Sequence, residues 1–346
     1  MPERPRLTPA MADVRRAVRE GFDSAGLTAG DLVLVACSGG ADSTALAGAA
    51  QFEGTRVGIA VGAVIVEHGL QDVTKVVAQQ TAAKLQALGL DPVRVVEVQV
   101  ADAAGNFEGG TEAAARTARY SALQAAATDF GAKAVLLGHT LNDQAETVLL
   151  GLARGSGIKS LAGMRALTDS GAGFVWLRPL LAIDRQTTED FCTDSGLEFW
   201  SDPHNVDPQF ARVRVRTEAL PVLESTLGPG VAQALARSAD LLQADLDYLE
   251  QAATATYQRL AKLGATGITI SCNTLAQEPI AIASRVIHQA LTVFGGSPGK
   301  KHVDEVLHLV LNWHGQKELT LPGVRVVRNG DDLTFKSSKT LRPGAC

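Results

Sequence analysis

The stretch LVLVACSGGADS, residues 32–43, constrains this chain more than any other. Leu32 to Ala36 form an unbroken apolar run of strand-forming type. Such a run needs cover on both faces and belongs inside a parallel sheet. Ser38, Gly39 and Gly40 break the run, and an alanine-rich helical stretch starts near Asp42 or Ser43. A strand that turns through two glycines into a helix presents backbone N–H groups and a helix N-terminus, the arrangement that holds phosphate.

The same strand-then-helix rhythm recurs. Residues 11–26 read as an amphipathic helix with Val14, Val18 and Phe22 on one face. A second apolar strand lies in RVGIAVGAVIVEHGL, a helix over 72–89, and a third strand in DPVRVVEVQV. A helix over 111–130 follows, then a fourth strand, AKAVLLGHT, which runs into LNDQAETVLLGLARG. Alternation of this kind predicts an α/β fold, a doubly wound parallel sheet with ligands at the carboxyl ends of its strands. Three polar segments fall at such ends: Ser38–Ser43, Glu67–Gln71 and His139–Glu146.

From about residue 218 the texture changes to a long helical stretch, GPGVAQALARSADLLQADLDYLEQAATATYQRLAKLG, then a mixed segment. That segment holds a short strand (GITIS), helices near 279–294 and 300–313, and a terminal hairpin. The hairpin strands are KELTLPGVRVVR and DLTFKS, turning at Asn329-Gly330. The expected division is 1–217 as a catalytic α/β domain and 218–346 as a linker helix with a smaller mixed α+β domain.

Bulk properties remove several classes. The formal net charge is -5, so a nucleic-acid partner must be held by local basic patches. The 4 cysteines form no C-x-x-C pair, which argues against a zinc or iron–sulfur site. The start, MPERPRLTPAMADVRRAVRE, has no apolar leader core, and no charge-free apolar run reaches membrane-spanning length. A cytoplasmic protein with no membrane partner is the expectation.

The loop is neither of the two common phosphate motifs. Walker A needs Gly-Lys-Ser/Thr, and the dinucleotide fingerprint needs G-x-G-x-x-G; neither stands at 38–43. A tight strand-to-helix turn would account for the two glycines, though not for the serines and the aspartate. S-G-G-x-D-S resembles instead the loop of the ATP pyrophosphatase (PP-loop) superfamily, which splits ATP to AMP and pyrophosphate. The resemblance implies that Ser38, Gly39, Gly40, Ala41 and Ser43 hold the pyrophosphate portion and that Asp42 holds Mg2+. Helix-terminus attraction supplies roughly 0.3–2 kcal/mol per anionic contact, so the metal carries much of the charge compensation.

The segment GHTLNDQAETVLLGLARGSGIKSLAGM, 138–164, closely resembles the G-H-x-x-D-D-Q-x-E-T signature of the tRNA(Ile)-lysidine synthetases. IVEHGL (65–70), EAAARTARY (112–120), RPLL (178–181) and SDPHNVDPQFARVRVR (201–216) reinforce it in order. That resemblance implies ATP-dependent adenylation of the wobble cytidine of a minor isoleucine tRNA with a CAU anticodon, followed by attack of L-lysine. Asp143 and Glu146, three apart on one helical face, orient Mg2+ or take the proton from the attacking ammonium. A solvated acidic first turn gives the same pattern. His139 touches the phosphates or the base, or is a core histidine with a satisfied ring.

For tRNA, Arg212, Arg214 and Arg216 alternate with Val213 and Val215, which in an extended segment puts three guanidiniums on one face. A solvated edge strand reads the same way. Arg116 and Arg119 are further tRNA candidates, or simply the exposed face of their helix. The family often has His and Asp where Thr140 and Asn142 stand here, and Arg at Gln71. A tRNA thiolase of the same superfamily needs paired or cluster-bound cysteines, which this chain lacks. A non-catalytic nucleotide sensor would bind ATP without releasing pyrophosphate. A homodimer stays open.

Overall fold

The computed structural model describes residues 7–67, 72–98, 110–200, 207–264, 267–294 and 298–338. Gln71 and residues 201–206 of the expected motifs lie outside them. The chain divides into two compact units, 1–241 and 242–346. The division falls inside a long helix.

In the first unit, helix α1 (Pro9–Ser24) starts at Thr8, whose hydroxyl accepts from Met11 N–H at 3.3 Å, with Pro9 at the first helical position. Strand β1 (Leu32–Ala36) leads into α2 (Ala41–Val57), β2 (Ala60–Glu67), α3 (Asp72–Ala87) and β3 (Val93–Glu97). Then come α4 (Gly110–Phe130), β4 (Ala134–Leu137), α5 (Leu141–Ala153), α6 (Ile158–Leu161), β5 (Leu167–Asp169), β6 (Val175–Leu177) and α7 (Arg185–Asp194). The second strand was expected from Arg56, but α2 runs on to Val57 and stops at Gly58, which sits at φ 76°.

The sheet order is β3-β2-β1-β4-β6-β5, parallel except for β5 against β6. Because β1 lies between β2 and β4, the chain reverses its winding direction there, and a crevice opens between the carboxyl ends of β1 and β4. Alternation along β1 explains the two layers. Val33 and Val35 join a core with Val14, Val18 and Phe22 of α1, Leu46 of α2, Leu85 of α3 and Phe191 of α7. Leu34 and Ala36 face Leu123, Ala126 and Ala127 of α4, together with Phe174 and Trp176. Each large apolar side chain buried this way contributes roughly 1.5–3 kcal/mol, which anchors α1 on the sheet. The β5–β6 hairpin has no counterpart in the sequence expectation.

After α7 the chain forms α8 (Ala211–Arg214), a single π turn over Val215–Ala219, α9 (Leu220–Leu227) and the long α10 (Val231–Leu260), within which the units divide. The second unit has β7 (Lys262–Gly264), β8 (Gly267–Ser271), α11 (Cys272–Leu275), α12 (Ile280–Thr292), α13 (Lys300–Leu311), β9 (Leu319–Leu321), β10 (Val324–Asn329) and β11 (Asp332–Ser337). Its antiparallel sheet runs β7-β8-β11-β10-β9. Ile268, Ile270, Val324, Val326, Leu333 and Phe335 turn inward onto Val286, Ile287 and Val306. The expected strand KELTLPGVRVVR is two strands, because Pro322 and Gly323 (φ 81°) turn the chain between them. Among the described residues no helix is long and apolar enough to cross a membrane.

Candidate active site

The loop after β1 is braced from inside. Cys37 N–H still donates to Val64 O of β2 at 3.0 Å, and the chain then leaves the sheet. Ser43 Oγ accepts from Ser38 N–H at 3.2 Å and donates to Gly40 O at 3.0 Å, so its hydroxyl closes the turn. Ser38 stays exposed at the rim. Gly39 sits at φ 88°, and a Cβ there would lie 2.7 Å from Thr81 Oγ1. Glycine is required twice over, for its dihedral and for its lack of a side chain. Its carbonyl accepts from Trp200 N–H at 2.9 Å, which straps the chain after α7 onto the loop. Gly40 caps α2 and brings no side-chain acceptor to the first-turn N–H groups, which leaves them for an anion.

A second helix start faces this one. At Gly138, just past β4, a Cβ would lie 3.2 Å from Ser43 N and from the Asp42 carbonyl carbon, so the end of β4 runs directly against the first turn of α2. Thr140 then caps α5: Asp143 Oδ2 accepts from Thr140 N–H at 2.9 Å and from its hydroxyl at 3.1 Å. Asp143 is therefore partly structural, but its Oδ1 is turned the other way. Arg185 spans the gap, its Nε 3.3 Å from Asp42 Oδ2 and its Nη2 3.4 Å from Asp143 Oδ1. The Thr188 hydroxyl donates to Asp42 Oδ1.

The three carboxylates respond differently to burial. Burial pushes the Asp42 carboxyl up, and Arg185 and the Thr188 hydroxyl only partly offset it. For Asp143, burial pushes upward too, but Arg185, the Thr140 N–H and Arg216 outweigh it and hold the group below the usual carboxylate range. Glu146 is raised by burial against the pull of Arg216. His139 is driven down to about 3, first by burial and then by Arg119, Arg178 and Arg116 nearby, with Asp143 opposing. It is neutral at physiological pH, and its buried Nδ1 has no hydrogen-bond partner among the described residues.

The arginines of 212–216 are not extended. They lie on α8 and the π turn, so helical spacing and not alternation sorts them. Arg212 and Arg216 reach Glu146: Arg216 Nε is 2.6 Å from Oε1, and Arg212 Nε is 3.6 Å from Oε2. Arg214 turns away, donates to the carbonyls of Pro208 and Gln209 at 2.7 and 2.9 Å, and is exposed. The Arg-Val-Arg-Val-Arg alternation suggested a strand, but tertiary forces favour helix. Glu146 needs counter-charges at i and i+4, and Val215 and Leu220 pack on Leu141 and Ala145 of α5.

Arg116 and Arg119 sit on α4, whose other face packs on the sheet. Arg116 is exposed, donates to Tyr120 OH at 3.3 Å and lies over that ring. Both arginines act electrostatically on His139, so they border the site. Glu67 ends β2 and accepts from Thr74 Oγ1 at 2.6 Å; the rest of that expected segment, 68–71, lies outside the described residues.

Sequence reasoning missed Arg185, Thr188 and the true place of Asn142. Asn142 Oδ1 accepts from Arg185 N–H at 2.9 Å and so ties the start of α5 to the start of α7. It stands as a cap on the start of α7. The available signal was positional: Arg185 opens the helix after β6, another strand carboxyl end beside β4.

Among the described residues no group of three or more His, Cys, Asp or Glu could hold a metal unaided. Asp42 Oδ2 and Asp143 Oδ1 converge on one cation, which suits an ion that takes one or two carboxylates and completes its shell with phosphate and water. The cysteines near the loop offer no sulfur chemistry. Cys192 Sγ donates to Ala41 O at 3.5 Å, and burial pushes its thiol up to about 12.

Known proteins resemble this chain at several levels. The PP-loop domain model matches residues 12–223, and the TilS substrate binding domain model matches 270–334. A U34-tRNA thiolase from Methanococcus maripaludis has the same fold over 68% of this chain and 80% of its own, with a TM-score of 0.57 and 19% identity. The tRNA(Ile)-lysidine synthase of Leifsonia xyli is 50% identical over 89% of this chain and 91% of its own length. Those of Streptomyces coelicolor (49%, covering 88% and 84%) and Thermobifida fusca (48%, covering 95% and 98%) are similarly close. An ATP-utilising PP-loop unit, a substrate-binding unit and identity of this order over nearly the whole length place the chain in the tRNA(Ile)-lysidine synthase family.

Proposed function

We propose that this enzyme adenylates the C2 oxygen of the wobble cytidine in a minor isoleucine tRNA with a CAU anticodon, releasing pyrophosphate, and then lets L-lysine displace AMP to give lysidine. It works in the cytoplasm. The observation that carries this reading is the facing of two helix starts: the open N-terminus of α2 over the glycine loop, and the Asp143 and Glu146 face of α5. One side suits a triphosphate, the other an ammonium group.

In this reading Ser38 and the amides of Gly39, Gly40 and Ala41 hold the pyrophosphate portion, while Ser43 keeps the loop closed around it. Asp42 and Asp143 would hold Mg2+, which when bound would supply positive charge to offset the triphosphate. His139, being neutral, donates a hydrogen bond without adding charge and leaves the acid–base work to the carboxylates. Burial pushes the Glu146 carboxyl up, and we assign it the proton from the lysine ammonium, a role that requires Arg216 to release one of the two oxygens it holds. Arg116 and Arg214 are exposed and suit phosphate groups of the tRNA, whereas Arg212 and Arg216 set the charge of Glu146.

Incubation with ATP, magnesium, lysine and total tRNA, followed by mass analysis of the wobble nucleoside, tests the reading. A gain equal to one lysine less water is the expected result, with pyrophosphate release requiring this tRNA, and multiple turnover, read as AMP release, requiring lysine as well. A transcript with uridine at the wobble position should release none. Orthophosphate and ADP as products would overturn it.

A further inference from the structure

The guanidinium of Arg185 and a divalent cation draw on the same two oxygens, Asp42 Oδ2 and Asp143 Oδ1. Both cannot take them at once. We propose that Arg185 is a positioning residue that occupies the seat between Asp42 and Asp143 and yields it only to a cation that brings phosphates with it, so that metal loading is conditional on ATP. The proposal rests on the reading of Asp42 and Asp143 as the magnesium pair.

Arg185 is built to pivot. Its backbone is fixed, with its N–H on Asn142 Oδ1 at 2.9 Å and the neighbouring Ile183 carbonyl accepting from Leu141 N–H at 2.9 Å. Its side chain is 24% exposed. Its contacts, 3.3 and 3.4 Å, are loose beside the 2.6 Å contact that anchors Arg216 on Glu146, and Arg216 Nη2, 3.3 Å from Asp143 Oδ1, stays behind on that oxygen when Arg185 leaves. The weaker clamp is the one that releases.

The electrostatics favour the exchange only in the presence of nucleotide. The Asp42 and Asp143 carboxylates lie on one guanidinium, 3.3 and 3.4 Å from it, so their like charges are offset by it. A bare magnesium ion sheds water reluctantly and gains less from a carboxylate pair already half-compensated by a guanidinium. A triphosphate adds several negative charges at the N-terminus of α2, which both recruits the ion and draws the freed guanidinium, a five-donor fork, onto phosphate oxygens. Asn142 anchors Arg185 without adding a further negative charge to the site.

The test is Mn2+ binding to the full chain, followed by electron paramagnetic resonance, without nucleotide and with a non-hydrolysable ATP analogue. Arg185→Gln should bind Mn2+ alone about tenfold more tightly than wild type, and Arg185→Lys should fall between them. With the analogue present the three should converge to within about threefold. The ranking of wild type below Lys below Gln carries the test even where one variant loses stability, and a purely structural arginine would not produce it. Equal Mn2+ affinities without nucleotide, while analogue-dependent binding still needs Asp42, would overturn the role of Arg185 and leave the metal pair standing. Analogue-dependent Mn2+ binding untouched in Asp42→Asn would overturn the metal pair, and this proposal with it.

Discussion

Arg216 grips Glu146 through both edges of its guanidinium, with Nε 2.6 Å from Oε1 and Nη2 3.0 Å from Oε2, across 70 residues of chain. The Glu146 side chain is wholly buried, so this bidentate pair, with Arg212 beside it at 3.6 Å, supplies its compensation. Such a carboxylate is unstable without a partner but depends little on ionic strength with one. Arg216→Met should therefore destabilise the first unit by roughly 3–5 kcal/mol in urea unfolding. Adding Glu146→Gln should recover more than half of that loss. A double variant no more stable than Arg216→Met would show that the pair is not coupled.

His139 makes acid sensitivity measurable. Its pKa is near 6.5 when the chain is unfolded and about 3 when folded. Below pH 6.5 the unfolded chain therefore takes up a proton that the folded one refuses. The stability this histidine allows is fully present above about pH 6.5 and is lost as pH falls from there toward 3. Asp143, held low, adds loss in the same direction, beginning where an ordinary aspartate protonates and continuing below it. His139→Gln should flatten the stability-against-pH curve between these limits by up to about 1.4 kcal/mol per pH unit. In NMR, the ring protons of His139 should show no titration near neutrality.

Gly39→Ala meets two obstacles, a φ of 88° and Thr81 Oγ1 at 2.7 Å. Combining it with Thr81→Ala removes the second alone. The double variant should regain part of the lost stability while about 1–2 kcal/mol of backbone strain remains. Pyrophosphate release should stay poor in both, because the loop amides are displaced. Thermal melts alongside a pyrophosphate assay separate the two effects.

Asp42→Asn removes one charge from the rim of the loop without opening the core, since the residue is held by the Thr188 hydroxyl and the Arg185 side chain. The fold should survive, with pyrophosphate release falling by about a hundredfold or more. Full activity in this variant would end the metal role assigned to it.

Arg214→Ala should weaken tRNA binding more than ATP binding. Loss of a phosphate contact also lowers the slope of log K against log salt by nearly one. Arg212→Ala, which strips a counter-charge from Glu146, should instead act on turnover and stability. The same salt slope in wild type and Arg214→Ala would mean that this arginine serves only the carbonyls of Pro208 and Gln209.

Much of the site was legible because it is local. A buried strand, two glycines, a serine three residues past the second glycine and an aspartate between them specify a loop and a helix start whatever surrounds them. The same holds for Thr140 and Asp143, where a threonine followed three residues later by a carboxylate caps a helix. Strand-and-helix rhythm also determined the sheet, because period and burial are written along each segment. The tertiary structure alone decided the rest. Arg185 meets Asp42 over 143 positions and Arg216 meets Glu146 over 70, pairings that no spacing announces. The arginine run coils because a buried carboxylate demands counter-charge on one helical face, and His139 stays neutral because neighbouring arginines and the loss of water act on it together. Short-range geometry is a property of the segment; the cost of burying charge is a property of the assembled protein.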